Sequence, residues 1–303
     1  MLKNLRNLSF ILIISAMVTM AYAAEGITVD LDTGRGGEAQ RVEDPTEFKV
    51  CADQDNLPYS NSKLEGFENK IAEVIAKDLG KRLSFQFWYD RMGFIRNTLN
   101  AKRCDVIMST TPDNDALRTS KPYYRSGHVF VYKKSSGYSI KDWDSPDLRK
   151  AVIGIVGLSP ASRTLADHGL MGNARPYRMQ RDLNLPPSYM IDDLLKGEID
   201  VAVLWGPIGG YYAKQSKEPL AVVSIPEYEQ TNIHGKEYWN ISVGVRKKDK
   251  ERMAMIQGAL DRNQDKILKI LDDYGIPHVP VVEGDDIVKK SREMRGEGIA
   301  KTE

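Results

Sequence analysis

FKVCADQDNLPYSNSKLEGFENKIAEVIAKDLGKRLSFQF, residues 48–87, reads as strand, turn, helix and strand. Phe48 to Ala52 is an apolar run of strand length, and Asp53 to Ser62 carries the polar residues and proline of a turn. From Gly66 to Leu79 the residues Phe67, Ile71, Val74, Ile75 and Leu79 fall on one helical face, and Gly80 follows as a stop. Leu83 to Phe87 alternates as a second strand. A strand leading through a helix into another strand is the unit of an α/β fold with largely parallel strands.

The same alternation continues downstream. Ile95 and Leu99 open a further helical pattern, and Cys104 to Met108 is a buried strand, so Cys51 and Cys104 fall on neighbouring strands. The pattern restarts after Lys134 with a strand at Ala151 to Val156 and a short helix at Ser162 to Leu170. A helix at Tyr189 to Leu195, closed by Gly197, and a buried strand at Ile199 to Leu204 follow. Another helix passes through Tyr211 to Ala213, Trp239 to Val245 returns as a strand, and Met253 to Tyr274 is expected to form one long amphipathic helix ended by Gly275.

The 303 residues, 41% hydrophobic and 28% charged, exclude collagen-like, wholly disordered and multi-pass membrane classes and leave room for about two domains. With 43 basic and 42 acidic residues and no basic run, bulk charge lends no support to a nucleic-acid partner. Lys3 and Arg6 precede the apolar run Leu8 to Val18, and Ala21-Tyr22-Ala23 supplies the small residues of a cleavage site, so residues 1–23 read as a signal peptide. An uncleaved anchor is the alternative. An exported chain with two cysteines lacking CxxC spacing predicts a Cys51–Cys104 disulfide rather than a zinc or redox site. Residues 24–45 show no period and read as a flexible arm, and residues 283–303 as a charged tail.

Several motifs together carry a resemblance: Gly66-Phe67-Glu68, Lys102 to Ile107, Thr111-Pro112, Lys121 to Tyr124, and Gly197 to Val203. Over about Phe48 to Pro280 their order is similar to that of the extracellular solute-binding proteins of the polar amino-acid transporter type. The resemblance implies a two-lobed periplasmic binding protein fold of type II, with a mostly parallel sheet in each lobe and a ligand cleft between them. It implies two inter-lobe crossings, near Lys133 and near Ile233 to Trp239. The expected boundaries are 46–133 and 236–282 for the two parts of lobe 1 and 134–235 for lobe 2.

The chain departs from that family where charge is needed. Relatives that bind amino acids carry an Arg for the ligand carboxylate two positions after the Thr-Pro proline, where Asn114 stands here. They carry an Asp for the ligand ammonium after the buried second-lobe strand, where Trp205 stands. Asn56 replaces a stacking aromatic, and Arg118 is the one substitute cation nearby. The expected cleft residues are Asp53, Asn56, Leu57, Tyr59, Trp88, Tyr89, Ser109, Thr110 and Thr111, faced by Leu158, Ser159 and Trp205, all following the carboxyl ends of strands. Core or lobe–lobe packing is the competing reading of Trp88 and Trp205.

The segments Leu204 to Pro207, Trp239 to Val245 and Tyr274 to Pro277, with the missing anchors, resemble the subgroup associated with periplasmic quinoprotein methanol dehydrogenases, the MxaJ or XoxJ type. That likeness implies a non-catalytic accessory to a PQQ-dependent methanol dehydrogenase or its cytochrome, acting in assembly or activation. The alternative it leaves open is a receptor of an ABC transporter for a small molecule other than an ordinary α-amino acid. His128, His168, His234 and His278 stand in no nucleophile or HExxH motif, and no CxxCH is present, so no catalytic, metal or cofactor set is expected.

Overall fold

A computed structural model describes residues 27–30, 41–90, 92–179, 182–227 and 237–282. The expected signal peptide, most of the arm, the charged tail and part of the second crossing lie outside these residues. The strands and helices in chain order are β1 (Thr28–Asp30), β2 (Glu47–Ala52), β3 (Asp55–Asn56), β4 (Ser60–Asn61), α1 (Phe67–Asp78), β5 (Arg82–Phe87), α2 (Phe94–Asn97), β6 (Val106–Thr110), β7 (Leu117–Thr119) and β8 (Tyr124–Lys133). They continue as β9 (Ile153–Val156), α3 (Pro160–Asp167), β10 (Ala174–Tyr177), α4 (Tyr189–Lys196), β11 (Val201–Trp205), α5 (Gly206–Gln215), β12 (Leu220–Ser224), β13 (Tyr238–Arg246), α6 (Lys250–Arg262) and α7 (Gln264–Tyr274).

Residues 48–87 fold as their pattern predicts. Strands β2 and β5 pair in parallel from Glu47↔Arg82 to Ala52↔Phe87, with α1 as the crossover. Phe67, Ile71, Ala72 and Ile75 of α1 are buried in the lobe 1 core. At the helix end the Gly80 N–H donates to the Lys77 carbonyl and the Lys81 N–H to the Ala76 carbonyl, a closure that the left-handed Gly80 (φ +62°) permits. At its start, a Cβ on Gly66 would lie 2.0 Å from the Tyr59 carbonyl oxygen, so only glycine lets the β3–β4 turn sit against the helix.

Lobe 1 runs β1-β5-β2-β6-β13, with β7 also on β13, and lobe 2 runs β10-β9-β11-β8-β12. The strands β1, β5, β2 and β6 of the first lobe, and β10, β9 and β11 of the second, are parallel. The lobes are joined where Tyr124 to Gly127 of β8 pairs antiparallel with Ile241 to Tyr238 of β13. The first crossing therefore lies near Arg125 to His128, not near Lys133, because Val129 to Tyr132 already pairs with β11 and β12 of lobe 2.

The misplacement has a physical cause. Strand β8 reads YRSGHVFVYK, whose Arg125, Ser126 and His128 break any strand period, yet all three are buried. Two of them have hydrogen-bond partners, Arg125 Nη1 with Glu227 at 2.9 Å and Ser126 Oγ, which donates to the Pro277 carbonyl at 2.6 Å, while His128 Nδ1 lies 3.2 Å from Glu237 without hydrogen-bonding it.

Two other expectations are corrected. The single helix over Met253 to Tyr274 is two, because the buried Asn263 leaves helical geometry and its Nδ2 donates to the Ala259 carbonyl and to Asp78, each at 2.9 Å. The apolar face stays in phase across the break through Ile256, Leu260, Ile267 and Leu271, so periodicity alone does not reveal it. The arm is also partly ordered. Its residues Thr28–Asp30 pair in parallel with β5, and Arg41 binds Asp105 at 2.9 and 3.1 Å. The expected disulfide is present, with Cys51 and Cys104 Cα atoms 5.4 Å apart, inside a buried cluster with Phe94, Leu99, Ile107 and Leu117.

Candidate functional site

A cavity of about 490 Å³ opens where the carboxyl ends of β2 and β6 face the crossing strands. Asp53 follows β2, Asn56 ends β3 and Tyr59 lies in the turn after it, Ser109 and Thr110 end β6 with Thr111 next, and Trp205 ends β11. His128 of β8 and Trp239 and Ile241 of β13 supply the rear wall. A second cavity of about 350 Å³ shares Asp53, Asn56, Asp90, His128 and Trp205 and extends over lobe 2 past Leu57, Ser159, Met179 and Tyr189.

The rear wall is aromatic. The rings of His128, Trp205 and Trp239 meet edge to face with centroids 5.5 to 5.6 Å apart. Trp205 also hydrogen-bonds the Tyr59 side chain, so a residue of the lobe 2 sheet is held against lobe 1. Tyr212 of α5 makes a second such link by donating to the Leu57 carbonyl at 3.1 Å.

The lining also carries carboxyl groups. Asp53 is buried and accepts from the backbone N–H groups of Asp55 at 2.8 Å and Asp90 at 2.6 Å. Burial, and then the neighbouring Asp53 charge, pushes the Asp90 carboxyl above its ordinary value. Glu68, in the first turn of α1, is shifted further. Burial pushes it up to about 8, the Asp90 charge adds to the shift, and a hydrogen bond with Ser109 opposes it. No Lys or Arg is among the described residues lining either cavity.

Of the expected cleft residues, Asp53, Asn56, Tyr59, Ser109, Thr110, Thr111 and Trp205 line the main cavity, and Leu57 and Ser159 line the second. Trp88, Tyr89 and Leu158 line neither. Trp88 packs against the disulfide cluster with the Arg103 guanidinium 5.5 Å from its ring centroid, while Tyr89 and Leu158 are exposed. Asn114, at the position of the carboxylate-gripping Arg, donates to Thr110 Oγ1 at 2.9 Å, and Arg118 is turned to the Lys247 carbonyl at 3.0 Å. No Lys or Arg of the described lining stands in for the carboxylate-gripping Arg, and Trp205 holds the place of the ammonium-binding Asp, although Asp53, Glu68 and Asp90 line the same cavity.

Sequence reading missed Glu68, Asp90, His128, Trp239 and Ile241. Glu68 sits where an acidic residue ordinarily serves the helix dipole, and Trp239 reads as one member of a strand. His128 was hidden with the strand that carries it. Only a prior placement of the crossings at β8 and β13 would have marked His128, Trp239 and Ile241 as cleft residues.

The sequence profile of the bacterial extracellular solute-binding proteins, family 3, matches residues 48–275. The protein MoxJ of Methylorubrum extorquens is 30% identical over 263 residues, covering 82% of this chain and 87% of the relative. MoxJ of Paracoccus denitrificans is 30% identical over 251 residues, covering 78% and 91%. The crystal structure of MxaJ from Methlophaga aminisulfidivorans superposes with a TM-score of 0.69 at 30% identity, covering 77% of this chain and all of that one. The periplasmic binding protein XoxJ from Methylobacterium extorquens gives 0.66 at 31%, again over 77% of this chain. An ancestral cationic amino-acid solute-binding protein gives 0.60 at 20% identity, a likeness of fold. With its type II binding-protein architecture and its likeness to the MxaJ and XoxJ type, the chain belongs to the bacterial extracellular solute-binding proteins, family 3.

Proposed function

We propose that the protein is a non-catalytic periplasmic accessory of a PQQ-dependent methanol dehydrogenase, acting in its assembly or activation by contact at the mouth of the cleft. The observation that carries this reading is a set of exposed apolar side chains beside the cavity residues of both lobes. Met92 (89% exposed) follows Asp90 by two positions, Leu158 (90%) adjoins Ser159, Leu185 (46%) follows the cavity residue Leu183 by two, and Met179 (62%) itself lines the second cavity. Leu158 is also held at φ +63°, a costly backbone for a branched side chain that points into water. Exposed apolar groups gain by being covered, and a protein surface covers more of them than a small solute does. The likeness to MoxJ, MxaJ and XoxJ supplies the identity of the partner, and the replacement of both amino-acid anchors supports a role other than amino-acid capture.

The alternative is a receptor feeding an ABC transporter with a solute other than an α-amino acid, favoured by the size of the main cavity. Affinity capture of the mature protein from methanol-grown cells of the source bacterium, with deletion of its gene, separates the two. Recovery of the quinoprotein or its cytochrome, with loss of active dehydrogenase in the deletion strain, is expected. Recovery of a transporter permease with unimpaired methanol oxidation would overturn the proposal.

A further inference from the structure

The main cavity is lined by charge of one sign. Asp53, Glu68 and Asp90 face it, His128 is a further titratable side chain beside the indoles, and the described lining residues include no Lys or Arg. Glu68 adds a second, independent feature: its Oε1 is shut off from water and accepts no hydrogen bond. A buried carboxyl oxygen without a donor is costly, and the groups around it give little relief. Burial raises the carboxyl, a hydrogen bond with Ser109 of β6 opposes that rise, and Asp90 from the loop after β5 adds to it. Burial, and in smaller part the nearby Glu68 charge, raises Tyr59, Tyr123 and Tyr124, which carry no positive charge to offer it. The same lining includes the indoles of Trp205 and Trp239.

We infer that this cavity binds an organic monocation without a carboxylate, an alkylammonium or quaternary ammonium group, with its charge shared by Asp53, Glu68 and Asp90 and its alkyl groups against Trp205 and Trp239. A ligand carboxylate would be set among three acidic groups without a cation to receive it. A cation supplies the charge that Glu68 lacks and gains attraction from the indole faces. The volume, about 490 Å³, suits a small ligand of this kind. The inference stands on the cavity alone and holds whether the mouth docks a dehydrogenase or a transporter.

The test is calorimetric titration of the mature protein with tetramethylammonium chloride, a probe that does not itself titrate. A bound cation favours ionised Glu68, whose carboxyl is otherwise pushed up to about 8, so a proton leaves on binding and affinity rises as pH rises. Saturable binding is expected, roughly tenfold tighter at about pH 8.5 than at about pH 6.5. Glu68→Gln should remove the pH dependence, which separates Glu68 from His128 of the same lining, and Asp53→Asn should weaken binding at both pH values, with near-UV circular dichroism confirming that each variant is folded. A tighter response to Nα-acetyl-lysinamide than to n-butylammonium assigns the cation to a lysyl side chain of a partner, and the reverse assigns it to a free amine. Absence of binding by all three probes, pH-independent binding by the wild type, or wild-type behaviour of both variants would overturn the inference.

Discussion

Reduction of the Cys51–Cys104 disulfide should cost about 4 kcal/mol, on the chain-entropy relation applied to a loop set by the 53-residue separation. That loop contains α1, β5 and α2, so the bond ties β2 to the start of β6 and holds closed most of the segment that forms the lobe 1 side of the cavity. At roughly 2–4 °C per kcal/mol for a domain of about 150–250 residues, the midpoint should fall by about 8–16 °C. The assay compares urea and thermal unfolding of the oxidised protein with and without dithiothreitol. The Cys51→Ala/Cys104→Ala variant serves as a control whose curves the reductant leaves in place. Both cysteines are buried, at 3% and 0% exposure, so reduction is expected to proceed through opening of the sheet rather than by direct attack. Oxidised and reduced stabilities that agree within about 1 kcal/mol would refute the clamp, as would two free thiols in the denatured, unreduced protein.

Asp105 is buried, and although burial opposes its ionisation, Arg41 and Arg246 hold its carboxyl below the ordinary value. Asp105→Asn should cost about 3–5 kcal/mol near neutrality. A lowered folded value means that this contribution is complete above the unfolded carboxylate pKa and is lost as pH falls through the folded one. The gap between wild type and variant in urea unfolding should therefore narrow below about pH 4, and a constant gap would contradict the pairing. Gly66→Ala places a Cβ 2.0 Å from the Tyr59 carbonyl oxygen and should cost about 3 kcal/mol in thermal unfolding; a wild-type midpoint would show that the turn relaxes freely. Ordinary α-amino acids should give no micromolar binding in calorimetry, because Asn114 bonds Thr110 and Arg118 bonds the Lys247 carbonyl; micromolar binding of any one would mean the anchors lie elsewhere.

Where side chains obey one period, the fold was legible. Residues 48–87 announced two parallel strands around α1, and the oxidisable cysteine pair on neighbouring strands announced the disulfide. Legibility failed where burial is polar or where a break keeps the phase. The crossing strand β8 buries Arg125, Ser126 and His128 against partners more than 90 residues away in sequence, which no local window contains. Asn263 interrupts a helix without shifting its apolar face. The candidate site was readable at strand ends such as Asp53 and Trp205, but after β5 the same rule pointed to Trp88 and Tyr89, which lie outside the cavities, and passed over Asp90. Glu68, His128 and Trp239 enter only through the way α1 and the two crossing strands are placed in space.

The central claim is docking of a quinoprotein dehydrogenase at the cleft mouth, and equilibrium binding between the purified mature protein and that enzyme from the same bacterium tests it most directly. The account predicts a measurable complex that Leu158→Asp/Met179→Asp weakens by roughly tenfold or more, while Met255→Asp, on the outer face of α6 and also exposed, leaves it unchanged. Absence of a complex, or equal weakening by the mouth and α6 variants, would contradict it.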